Sequence, residues 1–220
     1  MLDRLVLLIG ILGAWIVSGA ITAVLRRKRG HRLPPGSIVL EQPESGVVHR
    51  APGMRWSKFG VTLAMGGNMV FVFAVVGGLL FDPLQNALLN VTWDLPWYVN
   101  VIGLVGIWCH LVMGVGVYYY NVNYTPLYKP MPETYVLATG GPYKLVRHPM
   151  YVSYLAETLF IFLTTGIWLI AVTAIGWVSL PHQVREEEDE LGVLFGEAYS
   201  QYAAMTGRLL PRFSEFKRQQ

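Results

Sequence analysis

Residues Tyr143 to Leu180 read YKLVRHPMYVSYLAETLFIFLTTGIWLIAVTAIGWVSL, a polar mouth followed by a long apolar tract. The tract proper, Met150–Leu180, has 31 residues. That is too long for one untilted membrane span of about 20 residues and too short for two complete ones. Thr164-Thr165-Gly166 lies near its middle and supplies a turn. The spacing predicts a tight helical hairpin that stops short of the full bilayer thickness. Both flanks are polar, Tyr143–Tyr151 before the tract and Arg185-Glu186-Glu187-Glu188 after it, so the excursion returns two charged segments to one face. Polar groups at the mouth of a membrane segment are costly to desolvate, and a cluster of them points to a site.

Outward from this tract lie three further apolar runs, Leu5–Leu25, Phe59–Phe81 and Trp97–Tyr120. Each is long enough to span a core of about 30 Å at a rise of about 1.5 Å per residue. A composition of 53% hydrophobic and 14% charged residues excludes an ordinary soluble domain. The 13% aromatic content suits a protein with two membrane interfaces. The basic cluster Arg26-Arg27-Lys28-Arg29 follows the first run instead of preceding it, which favours an uncleaved helix over a signal peptide. The linker Arg26–Lys58, rich in Pro and Gly, reads as a surface loop.

Charge sets the expected orientation. The connector Asp82–Pro96 carries two Asp and no Lys or Arg, whereas Asn121–Arg147 carries Lys129, Lys144 and Arg147. The positive-inside rule then puts the N-terminus outside and the C-terminus in the cytosol, in an inner or plasma membrane. Glu186–Met205 reads as an amphipathic helix, with Leu191, Leu194, Phe195, Ala198 and Tyr202 at helical spacing. The expected fold is an all-α integral membrane protein. It has about five transmembrane helices, the last two a tight hairpin, and a cytosolic C-terminal amphipathic helix. Residues 1–120 form three helices with the loop 26–58, and residues 121–220 form the catalytic, cofactor-binding region.

Several function classes drop out. The net charge of +3 comes from residues flanking the apolar runs, not from a nucleic-acid patch. One cysteine, Cys109, excludes an internal disulfide, and no His, Cys and carboxylate spacing suggests a metal site. No dinucleotide fingerprint is present. Gly66-Gly67, Gly77-Gly78 and the Gly114, Gly116 pair read as helix-packing positions. His110 reads as a buried histidine with satisfied partners. Glu157 has two readings, a carboxyl facing a cofactor cavity or a hydrogen-bonded interface group.

Four pieces now stand in order: Gly140-Gly141-Pro142-Tyr143; Arg147-His148-Pro149-Met150-Tyr151; Glu187-Glu188 with Leu191; and Phe195-Gly196-Glu197-Ala198-Tyr199 with Tyr202. Together they resemble the isoprenylcysteine carboxyl methyltransferase family, membrane enzymes related to phospholipid methyltransferases. The resemblance covers about Tyr135 to Pro211. It implies S-adenosylmethionine as methyl donor, bound between the hairpin and the C-terminal segment at the cytosolic face. Carried onto this chain, the cofactor contacts are Tyr135, Val136, Leu137 and Ala138 (largely backbone), Tyr143, His148, Pro149, Tyr151 and Glu187. Glu187, Arg147 and Glu188 are the candidate catalytic residues. The side chains suit a donor with a carboxylate, an ammonium and a sulfonium: cationic donors for the first, an anion for the others, and flat tyrosine faces.

This sequence departs from the family in two places. Ser153 stands where the family usually has glycine after the Arg-His-Pro motif. Gln183 stands where the eukaryotic isoprenylcysteine enzymes carry an arginine that pairs with the substrate carboxylate. The resemblance therefore implies a lipophilic or lipid acceptor at the bilayer and leaves open whether a carboxylate, amine or thiol is methylated. Two other classes stay open: an NADPH-dependent sterol-reductase-like enzyme, and a non-catalytic membrane scaffold. The sequence leaves the oligomeric state open.

Overall fold

The computed structural model describes residues 3–30, 32–40, 56–122 and 136–212. It is mostly helical, and three of its helices are long and apolar enough to cross a bilayer. These are α1 (Arg4–Arg29), α2 (Trp56–Leu80) and α4 (Trp97–Tyr120). A short helix, α3 (Asp82–Leu89), connects α2 to α4. Large apolar side chains such as Ile9, Ile16, Val70, Phe73, Val105 and Val112 point outward along the three long helices. An outward-facing apolar surface of this kind suits lipid, where no water competes. Exposed Trp93, Trp97 and Tyr98 gather at one end and exposed Trp56 at the other, as aromatic belts do.

The helices start and stop for local reasons. Asp3 caps α1, its carboxylate accepting from the Leu5 N–H at 2.8 Å. Arg26 to Arg29 complete the last turn, where cations favour the helix dipole. The same arginines fasten α1 to α4: Arg26 lies over the Tyr118 ring at 5.4 Å, and Arg29 donates to the Tyr119 carbonyl.

The expected hairpin is present and turns where the sequence places it. Helix α5 (Pro149–Thr165) ends at Gly166, whose φ of 74° is a left-handed conformation that glycine adopts without Cβ strain. The return arm is not one regular helix. A 3₁₀ turn (Trp168–Ile170), helix α6 (Ala171–Ala174) and a second 3₁₀ turn (Ile175–Ser179) lead into α7 (Leu180–Met205). The tip also goes further than expected. Trp93 N–H donates to the Gly166 carbonyl at 2.9 Å and Trp168 N–H to the Val91 carbonyl at 3.1 Å, so the hairpin reaches the connector that opens α4.

Two further features differ from the all-α, single-amphipathic-helix expectation. Part of the 26–58 loop is ordered as strand β1 (Ser37–Val39), antiparallel to β2 (Val136–Ala138), with Ser37 opposite Ala138. Helix α7 starts at Leu180, upstream of Glu186, and is broken at Gly196, whose φ of 52° and ψ of −121° are not helical. The break turns the last two turns back, so Phe195, Tyr199 and Tyr202 pack with Leu137 of β2.

Close packing holds the hairpin in the bundle. On α4 a Cβ at Gly103 would lie 2.3 Å from the Thr164 nitrogen, and one at Gly106 would lie 2.2 Å from the Phe160 ring. On α2, Gly60 meets the backbone of Gly176 in the return arm. Gly67, Gly77, Gly78 and Gly116 likewise have near neighbours. Gly66 and Gly114 do not match the packing expectation, because no heavy atom comes within 4 Å of a Cβ built at either.

Candidate active site

At the charged end of the bundle three segments converge: residues 143–151, the middle of α7, and residues 206–208. The chain before α5 pairs with the chain after α7 like a short parallel bridge. Arg147 N–H donates to the Gly207 carbonyl at 2.8 Å, and His148 N–H to the Arg208 carbonyl at 3.2 Å. Pro149 opens α5, where a missing N–H costs nothing. His148 and Tyr151 are thereby set at the helix entrance with stacked rings, 5.8 Å apart.

Glu187 is the centre of one cluster. One carboxylate oxygen accepts from the Tyr151 hydroxyl at 2.5 Å and from the Gln183 amide at 2.6 Å. The other lies 3.5 Å from His148 Nδ1. Gln183 is fully buried, and its carbonyl oxygen has no hydrogen-bond partner among the described residues. Burial alone would raise the Glu187 pKa, but the His148, Tyr151 and Gln183 hydrogen bonds and the His148 charge outweigh it and hold the carboxyl below its usual range. Burial alone would lower the His148 pKa, and the two glutamates reverse that, holding the imidazole above its ordinary value.

Glu188 is the centre of a second cluster. Arg147 Nε donates to it at 2.8 Å, Arg208 donates through two nitrogens at 2.8 and 2.6 Å, and His148 Nε2 lies at 3.2 Å. These partners overcome burial and depress its pKa strongly. Arg147 is buried and also donates to the Ala203 and Thr206 carbonyls. The pair Arg147 and Glu188 locks the end of α7 onto the His148 segment. Arg208 was not singled out in the sequence; its side chain is 46% exposed, which leaves it open to solvent beside the site.

The remaining expected residues are placed as follows. Tyr143 is buried on the 3₁₀ turn Gly141–Lys144, and its carbonyl accepts from the Tyr202 hydroxyl at 2.8 Å. Val136, Leu137 and Ala138 are buried in β2, next to that turn. Tyr135 lies outside the described residues. Glu186 accepts from the Ser57 hydroxyl at 2.8 Å and ties α7 to α2.

One further polar cluster lies deep among the helices. His110 Nδ1 meets the Ser153 hydroxyl at 2.8 Å and His110 Nε2 meets Glu157 at 3.3 Å. Asn68 of α2 donates to Glu157 at 3.2 Å and accepts from Thr158 and Thr173 at 3.1 Å each. His110 is the satisfied buried histidine that was expected. Asn68 was missed, although a lone amide in an apolar helix is a legible signal.

Residues 98–198 match the family model described as phospholipid methyltransferase. The match covers 101 of the 220 residues, a likeness to that family over less than half of the chain. The match begins in α4, before the stretch Tyr135 to Pro211 that the motifs cover, so the likeness takes in that helix as well. It takes in the candidate residues from Tyr135 to Glu188 and stops short of Arg208. Over 150 residues the chain is 29% identical to the cobalt-zinc-cadmium resistance protein CzcN of Cupriavidus metallidurans, covering 67% of this chain and 63% of that protein. Over 127 residues it is 29% identical to the nickel-cobalt-cadmium resistance protein NccN of Alcaligenes xylosoxydans xylosoxydans, covering 57% of each. The chain thus spans less than two thirds of the length of these relatives.

Proposed function

We propose that this chain is an S-adenosylmethionine-dependent membrane methyltransferase acting on a lipophilic acceptor at the cytosolic membrane face. The observation that carries the reading is Glu187, which gathers Tyr151, Gln183 and His148 at the hairpin mouth, inside the family-matched segment. In this reading five segments lie in the membrane, α1, α2, α4 and the two hairpin arms. The N-terminus is outside, and residues 121–220 carry the catalytic region.

The residues present fit the donor. Its ammonium needs acceptors, and Glu187 with the partnerless buried Gln183 oxygen provides them. Its carboxylate needs a cation, and the fit there is His148, whose pKa the two glutamates raise. Tyr143, Pro149 and Tyr151 offer flat surfaces, and Tyr135, Val136, Leu137 and Ala138 offer backbone groups. When bound, S-adenosylmethionine supplies an electrophilic methyl on a sulfonium. The protein's part is then alignment and exclusion of water, and positioning of this kind supplies several kcal/mol of a barrier. The Arg147, Glu188 and Arg208 lock keeps α7, and with it Glu187, in register with Tyr151.

Calorimetry of detergent-purified protein with S-adenosylmethionine, and with NADPH in parallel, tests the reading. Donor binding is expected in the wild type, weakened in both His148→Gln and Glu187→Gln. Binding of NADPH alone would replace the reading by a reductase, and binding of neither to folded protein would leave the motif a packing device.

A further inference from the structure

The linker between α1 and α2 carries a short strap, residues 34–40, which lies outside the family-matched segment. Its start abuts the turn that follows β2. The Gly36 carbonyl accepts from both the Thr139 N–H and the Thr139 hydroxyl, at 2.8 Å each. A Cβ at Gly36 would lie 2.7 Å from the Gly140 nitrogen, and one at Gly140 would overlap the Pro35 carbonyl oxygen. The Tyr120 ring at the end of α4 closes on the same turn, since a Cβ at Gly141 would overlap it. The Gly140-Gly141 pair of the motif is therefore gripped by the strap and by α4, with no room for a side chain at either position. Further along, Ile38 and Leu40 pack onto the cluster of Leu137, Phe195, Tyr199 and Tyr202. One short segment thus touches β2, the turn that carries Tyr143, and the chain beyond Gly196.

The ladder has a definite parity. The Thr139 bond to Gly36 makes those two residues a hydrogen-bonded pair, and such pairs alternate along an antiparallel ladder. Ile38 and Leu137 are therefore the next bonded pair, and Ser37 and Ala138 face each other without bonds. The N–H and C=O of Ala138 consequently point away from β1. Ala138 is buried, and buried backbone groups require partners, which a ligand can supply. The strap itself is lightly held. Its strand has three residues and one neighbour, Val39 is exposed, and the Thr139 hydroxyl bond lies at the surface. Two-stranded ribbons are marginally stable, and segments with few buried contacts and surface hydrogen bonds open locally at little cost.

We propose that the strap opens and closes locally, that the methyl donor binds the closed form, and that Gly36 and Ile38 are positioning residues for the donor. The inference rests on the methyltransferase reading, because both residues act through Val136, Leu137, Ala138 and Tyr143. When only a fraction of the chains has a closed strap, the apparent donor Kd is the intrinsic one divided by that fraction. Closure and donor binding then strengthen each other by the same factor.

The test uses the full chain in lipid nanodiscs, with calorimetry for S-adenosylmethionine affinity and hydrogen exchange for strap opening. In the unmutated chain, the Ile38 and Leu137 amides are expected to exchange well ahead of those of α4, and S-adenosylmethionine is expected to slow them severalfold. Gly36→Ala puts an alanine at a φ of 78° and its Cβ against the Gly140 nitrogen, so it favours the open strap. It is expected to weaken donor binding about tenfold. Adding Ser37→Cys and Ala138→Cys, in a Cys109→Ala background, sets two cysteines on the unbonded pair, whose Cα atoms lie about 4.5 Å apart, within disulfide range. Oxidation of that pair in the Gly36→Ala chain is expected to restore donor affinity, and dithiothreitol to remove it again. Unchanged affinity in Gly36→Ala overturns the proposal, as does a loss that the disulfide fails to restore. Ile38 exchange as slow as that of α4, or indifferent to a donor that binds, overturns it without recourse to any variant. Absence of donor binding in the wild type sinks the methyltransferase reading instead, and the exchange of Ile38 against α4 then still decides whether the strap opens.

Discussion

Adjacent glutamates in α7 have different jobs because α7 turns them toward different partners. Glu187 faces Tyr151, Gln183 and His148, whereas Glu188 faces two arginines. Replacing Glu188 by alanine strands the buried Arg147 charge beside backbone carbonyls, an uncompensated state that typically costs about 3–5 kcal/mol. Glu188→Ala is therefore expected to lower the thermal unfolding midpoint in detergent well below that of Glu187→Gln; equal midpoints would remove the lock assigned to Glu188. His148 and Glu187 also predict a pH window. A histidine whose folded pKa is raised stabilises fully below its ordinary value near 6.5 and loses that contribution as pH climbs through the folded pKa. A glutamate whose folded pKa is lowered stabilises above its ordinary value near 4.5 and loses it as pH falls through the folded pKa. Both contributions are complete between those two ordinary values, so thermal stability is expected to peak there, and His148→Gln is expected to flatten the decline on the alkaline side. At this scale the sequence was readable where a motif named the residue, as with His148, Tyr151 and Glu187. It was not readable for Gln183 and Asn68, whose roles depend on what packs over them.

At the scale of elements, apolar length made the long helices legible, and α4 runs over the stretch Trp97–Tyr120 that its composition predicts. The return arm defeated such reading because its turns follow from packing against α2, where Gly60 and Gly176 bring two backbones together. The pairing of β1 with β2 was equally hidden, since three-residue strands carry too little alternation to register. Gly196 is the case where a motif residue has a purely geometric reason. Its positive φ breaks α7 and lets Tyr202 reach the Tyr143 carbonyl, while a Cβ there would meet no neighbour. Substitution by alanine thus isolates backbone strain from steric clash. Gly196→Ala is expected to cost about 1–3 kcal/mol, measured by denaturation in detergent micelles. A neutral result would mean that α7 runs straight and that the tyrosines find their partners another way.

For the molecule as a whole, burial and charge give independent lines to the same axis. The arginines at the end of α1 share an end with Arg147, His148 and the α7 glutamates, because α1 is fastened to the last turn of α4 and the α5 entrance packs against that same end. The connector α3, with Asp82 and no cation, lies at the other end, where it meets the hairpin tip. A bilayer placed across α1, α2 and α4 therefore separates a strongly cationic face holding the candidate site from a face where, among the described residues, Arg4 at the start of α1 is the one Lys or Arg. The positive-inside rule assigns the first to the cytosol. Cysteines introduced at exposed Lys28 and Asn86, in a Cys109→Ala background, test this in intact cells with a membrane-impermeant maleimide. Asn86→Cys is expected to label from outside and Lys28→Cys only after the membrane is opened. The reverse pattern would put Glu187 on the far side from a cytosolic methyl donor, and with it the proposed reaction would fail on access alone, however well the residues fit.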